Sequence, residues 1–102
     1  MPLFGTKLDD VLKWAAAKDV KKLVGALKAP DAIVRRKAVE ELARIRNVEV
    51  MKYCQENAQH KDRNVRWHVT QILGLIGTPQ AMKILEQTED PYYIEKPKGK
   101  KK

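Results

Sequence analysis

The sequence predicts an all-α fold, an α-solenoid of about three antiparallel helical hairpins, and three observations carry that expectation. Sliding the chain along itself until Asp31 falls on Asp62 lays Asp31-Ala32-Ile33-Val34-Arg35 on Asp62-Arg63-Asn64-Val65-Arg66, a period of 31. Self-similarity at a fixed period of this size marks stacked repeats. At the same offset Ala38 meets Val69, Leu42 meets Leu73, Ile45 meets Ile76, Met51 meets Met82 and Cys54 meets Leu85. Within one unit Val34, Ala38, Leu42 and Ile45 step by four, four and three, which is one stripe of a helix. No stretch of useful length alternates with period two, so no sheet is expected.

The elements follow in order. The first unit places helices near 7–16 and 19–28, because Leu3 aligns with Val34, Val11 with Leu42, Trp14 with Ile45, Val20 with Met51 and Leu23 with Cys54. The second opens at Asp31, an N-cap acceptor for the free backbone N–H groups of a helix over 31–46. After a break at Asn47, a helix over 48–59 carries a second stripe of Val48, Met51 and Cys54. In the third unit a helix over 62–76 ends at Gly77; Thr78 then caps a helix over 79–88 with Pro79 at its first position. The units span about 3–30, 31–61 and 62–90, in a single domain over 1–94. Tyr92, Tyr93 and Ile94, in a stub over 90–94, are expected to cover the open C-terminal end, and Leu3 and Phe4 the front.

A chain of 102 residues makes one hydrophobic core. With 43% hydrophobic residues, 5 Gly and 5 Pro it is neither disordered nor fibrous. No apolar run approaches the ~18 residues of a membrane span, and Met1 to Lys7 lacks the pattern of a signal peptide. Cys54 is the sole cysteine, which excludes an internal disulfide and suits a reducing, cytoplasmic setting. The sequence contains no serine, so a serine nucleophile is excluded. Of the formal charge of +8, half belongs to residues 95–102, read as a basic disordered tail. That tail serves equally as a solubilising terminus or cloning remnant, or as an unspecific anchor for polyanions.

The pattern Asp-x-x-Val-Arg, followed by a helix ending Leu73-Gly74-Leu75-Ile76-Gly77-Thr78-Pro79-Gln80-Ala81, resembles the HEAT repeat. More narrowly it is similar to the short repeats of phycocyanobilin-lyase-like proteins. The second unit keeps Asp31, Val34, Arg35, Ala38 and Leu42 but has Ala43 and Arg46 where the glycines fall. Leu3-Phe4-Gly5, Asp19-Val20 and Leu23-Val24-Gly25-Ala26-Leu27 extend the likeness, which covers roughly residues 3–90. The resemblance implies that second helices line a concave, partner-binding face. It also implies that Arg35 and Arg66, beside Asp31 and Asp62, reach an acidic residue of the adjacent unit and tie units together. Their alternative is a pair of phosphate contacts.

Lys21, Lys52 and Lys83 recur at the repeat period on successive second helices and off the apolar stripe, so all three are expected exposed. They read either as solvated lysines or, with Lys22 and Tyr53, as a polyanion-binding ladder acting by counterion release and stacking. Trp67 is off the main stripe and either packs between units or anchors a partner. Glu40 and Arg44 have the spacing of a surface ion pair. Cys54, His60 and His68 lack metal-ligand spacing, so neither metal nor other cofactor is expected. Cys54 reads as a buried small hydrophobe, Trp14 as core and His68 as packed or solvent-facing. The leading expectation is a monomeric, non-enzymatic scaffold that binds a protein through its concave face. The alternative is a nucleic-acid-binding accessory, and a lyase-type subunit rests on the resemblance alone.

Overall fold

The computed structural model describes residues 6–88; the end-covering roles expected of Leu3, Phe4, Tyr92, Tyr93 and Ile94, and the 95–102 tail, lie outside them. Among the described residues are six helices and no strand: α1 (Leu8–Ala16), α2 (Val20–Ala26), α3 (Ala32–Ile45), α4 (Val48–Asn57), α5 (Arg63–Ile76) and α6 (Pro79–Leu85). Each begins where a short polar side chain or a carboxylate meets free backbone N–H groups. Asp31 Oδ1 accepts from Ile33 N at 2.8 Å, and Asp62 Oδ1 from Asn64 N at 2.9 Å. Asn47 caps α4 through Val50 N, Thr78 caps α6 through Ala81 N, and Asp19 caps α2 through Lys22 N. At α1, Asp10 reaches back to the Lys7 N–H. Such caps are worth about 1 kcal/mol each, and their spacing sets the hairpin pattern.

The hairpins stack so that α3 packs on both α1 and α5, giving a row of first helices. The second helices lie against that row, α2 on α1 and α3, α4 on α3 and α5, and α6 on α5. One core runs through the stack, and positions one period apart share it. Val11, Leu42 and Leu73 are fully buried in the three first helices, and Leu23, Cys54 and Leu85 are buried in the three second helices. No helix of the described residues is long and apolar enough to cross a membrane.

Two local expectations need correction. Val48 is 82% exposed, and Val50 with Cys54 forms the buried stripe of α4 instead. Val48 is the first residue of the helix, directly after its Asn47 cap; the four-residue step from Val50 to Cys54 points at the neighbouring helices. Arg44 pairs not with Glu40 but with Glu41, which Lys37 also approaches at 3.3 Å. Glu41 is buried. Burial alone raises its carboxyl's pKa, but hydrogen bonds and charge from Arg44 and Lys37 outweigh that and hold it below its ordinary value.

The ends of α3 and α5 show what the repeat tolerates. Arg46 and Gly77 are equivalent C-caps, both left-handed, with φ of 31° and 68°. Each donates its N–H to the corresponding leucine carbonyl, Leu42 or Leu73. A non-glycine residue there carries about 1–2 kcal/mol of strain, partly offset because glycine loosens the unfolded chain. Arg46→Gly is therefore expected to raise the thermal midpoint by about 2–4 °C. Gly77→Ala should lower it by about twice as much. A Cβ at Gly77 would meet Gly74 O at an ordinary 3.8 Å, so the loss comes from backbone strain rather than collision. Calorimetry of the two variants checks both signs.

Candidate functional site

The site begins with the equivalent arginines of the second and third units, Arg35 and Arg66. Arg35 lies one turn into α3, four positions beyond the Asp31 cap. Its Nη1 donates to Ala29 O at 2.7 Å and Pro30 O at 2.8 Å. Arg66 repeats this with His60 O at 2.7 Å and Lys61 O at 3.2 Å. The hydrogen bonds of Arg35 thus go to carbonyls of the segment that joins one unit to the next, rather than to a neighbouring carboxylate as the resemblance implies. These loop carbonyls, beyond the ends of α2 and α4, have no intrahelical partner, and a guanidinium satisfies two of them at once. Asp31 and Asp62 meanwhile cap their own helices.

Around Arg35 the surface opens into two lobes. One, of about 390 Å³, lies between the first turns of α3 and α5, where Ile33, Arg36, Val39, Trp67 and His68 line it. The other, of about 670 Å³, lies between the end of α2 and the α4–α5 junction; Val24, Lys28, Tyr53 and Asp62 contribute to its walls. Arg35, Trp67 and His68 belong to both lobes, so the two meet at these side chains. Trp67 is 39% exposed and leans on His68, ring centroids 5.9 Å apart and tilted by 58°. Ile33 is 66% exposed beside it.

The larger lobe has a cause in the repeat. Between α4 and α6, Gln55 Nε2 donates to Gln87 Oε1 at 3.2 Å and Gln59 Nε2 donates to Gln87 O at 3.1 Å. These bonds clasp the second and third units together. One unit earlier, the positions of Gln55, Gln59 and Gln87 are occupied by Val24, Lys28 and Glu56. No hydrogen bond or ion pair joins these three, and α2 and α4 share no extended interface. The junction between units one and two thus lacks the glutamine clasp, and its Val24 and Lys28 line the larger lobe, whereas the smaller lobe lies between units two and three.

Charge in the cleft is simple at neutral pH. Burial, and then the positive charge of Arg35, depress the His68 pKa, with Asp62 opposing only in part. The ordinary histidine value of about 6.5 already lies below neutrality, so the imidazole is neutral near pH 7. Burial pushes the Tyr53 hydroxyl up to about 12, so it stays protonated. Tyr53 packs against the core, which leaves less ring for stacking than the sequence suggests.

The other singled-out residues sit apart. Lys21, Lys52 and Lys83 are all exposed on α2, α4 and α6 and line neither lobe. Lys22 Nζ lies 5.9 Å from the ring centroid of Trp14, which is itself half-buried against the core. Cys54 is buried and burial pushes its thiol up to about 12, far from a reactive thiolate. Among the described residues, no three His, Cys, Asp or Glu side chains gather as a metal site would require. Sequence reasoning missed His68, Ile33 and Arg36 as cleft residues. The available signal was that Ile33 is apolar yet off the buried stripe, and that Arg36 and Trp67 share a register position.

The paired helices, the repeating caps and the arginine joints at Arg35 and Arg66 recur at the period of 31. The model of HEAT repeats matches residues 20–96. The chain belongs to the HEAT-repeat family. The match is to HEAT repeats as a class and does not reach the narrower phycocyanobilin-lyase-like group. No curated protein and no solved structure matches the chain. In HEAT terms, the two arginine joints lie between successive units, the smaller lobe lies between the second and third units, and the larger lobe takes its walls from all three.

Proposed function

We propose that this HEAT-repeat chain is a non-enzymatic binding module that takes a segment of another protein across the two lobes meeting at Arg35, Trp67 and His68. The unclasped junction between α2 and α4 carries this reading, because it leaves a half-exposed tryptophan and a cationic joint beside open volume. Clefts of about 300–1,000 Å³ with apolar walls and a few placed polar groups are where ligands dock. Exposed Trp and Arg side chains are the types that dominate interface energetics. The buried, protonated Cys54 and the lack of serine fit a scaffold rather than a catalyst.

The test is selection of binders from a random-peptide display library on the immobilised chain. It is repeated on Trp67→Ala and on a variant carrying Val24→Gln, Lys28→Gln and Glu56→Gln, which transplants the glutamine clasp into the open junction. Both variants are expected to lose most of the captured pool while keeping helical circular dichroism. Undiminished capture by either would overturn the site. If the chain instead retained only nucleic acid, with affinity falling steeply in salt and abolished by reversing Lys21, Lys52 and Lys83, the lysine ladder would be the working surface.

A further inference from the structure

The smaller lobe has a chemical bias, and it deepens the reading just given, on which it rests. Its ionised lining groups are Arg35 and Arg36, and no carboxylate lines it. Arg35 is held in the joint by its carbonyl bonds. Arg36 is exposed, with no hydrogen bond or ion pair to the other described residues. His68, neutral near pH 7, adds no charge there. Beside these groups lie two apolar side chains that solvent would not favour, Ile33 at 66% and Trp67 at 39% exposure. A cation without a counter-ion next to exposed apolar surface is half of a complementary pair.

We propose that the lobe over α3 and α5 recognises an acidic peptide carrying a large apolar residue. A carboxylate of the peptide takes Arg36, and its apolar side chain covers Ile33 and Trp67. The repeat itself supplies the spacing. Arg36 and Trp67 are one full period apart, so they occupy the same position on adjacent first helices, and α3 packs directly on α5. Axes of packed helices lie about 8–10 Å apart. An extended peptide advances about 3.3 Å per residue. The acidic and apolar residues of the ligand should therefore stand two or three positions apart. Bidentate pairing with a guanidinium favours a carboxylate over a neutral amide at that position.

The experiment is sequencing of the peptides selected from the random library by the full chain and by Arg36→Glu, a change at an exposed position that leaves the core untouched. The wild-type pool should be enriched in Asp or Glu two or three positions from Leu, Phe or Trp. In the Arg36→Glu pool the acidic preference should turn to Lys or Arg, with the apolar preference kept. A synthetic peptide from the wild-type pool should bind Arg36→Glu about tenfold more weakly by fluorescence anisotropy. A pool that is neutral or basic, or an acidic preference that survives Arg36→Glu, would overturn this inference while leaving the chain a peptide-binding module. Absence of any enriched peptide would overturn both.

Discussion

Leu42→Ala should come close to unfolding the protein. Leu42 is 0% exposed in α3, the helix that packs on α1, α2, α4 and α5. Truncating a buried leucine to alanine costs about 3–5 kcal/mol, from lost transfer free energy and the cavity left behind. A domain of this size has a total stability of about 5–10 kcal/mol. In a stack, moreover, each unit is stabilised mainly by its immediate neighbours, so damage in the middle unit weakens both interfaces. The thermal midpoint should fall by about 20 °C. Leu73→Ala, at the equivalent buried position of α5, should behave alike. Leu75→Ala, on the same helix but 58% exposed, should shift stability by less than about 0.5 kcal/mol. Urea denaturation of the three variants decides the matter. Equal behaviour of Leu42→Ala and Leu75→Ala would mean that the repeat register does not set the core.

Arg35→Met comes next in expected effect, and it separates joint from cleft. Methionine keeps much of the apolar stem but removes the guanidinium head that serves Ala29 O and Pro30 O. Hydrogen bonds to a charged donor contribute about 1.5–3 kcal/mol each. Arg35 is only half-buried, so water recovers part of the loss. The variant should lose about 2–3 kcal/mol. Arg35→Lys should lose roughly half as much, because the ammonium keeps the charge and the donors but sits one bond short of the Nη1 that serves both carbonyls. Measured by denaturant unfolding without any peptide present, this loss reports the joint alone. An Arg35→Met protein as stable as the wild type would show that the carbonyl contacts contribute nothing net.

Much of the architecture is legible in the amino-acid order, and particular residues show why. Asp31 and Asp62 cap α3 and α5 as their spacing suggests, because capping is settled within a few residues of chain. Leu42 and Leu73 are buried as the stripe requires, since a helix makes one turn in about 3.6 residues whatever surrounds it. Val48 fails the same reasoning. An apolar residue at a helix start counts toward a stripe on paper, but only the position of neighbouring helices tells which way it faces, and Val48 faces out. Glu41 fails it in the other direction, drawn inside and compensated by Arg44 and Lys37. Tyr53 and Trp67 stand out in the sequence as aromatic residues near charge, and both line the cleft. His68 does not stand out, because nothing in its own neighbourhood announces that Arg35 and Asp62 flank it.

Period, hairpin boundaries and the interior stripe were readable from the chain because each is a short-range matter of hydrogen-bond capping and helical pitch. The cleft was not. Its larger lobe opens where Val24, Lys28 and Glu56 lack the bonds that Gln87 makes with Gln55 and Gln59 one junction later. Those contacts join residues about one repeat apart, and a register says which positions are equivalent without saying whether their side chains come within bonding distance. Only the packing of one hairpin on the next brings them together or holds them apart.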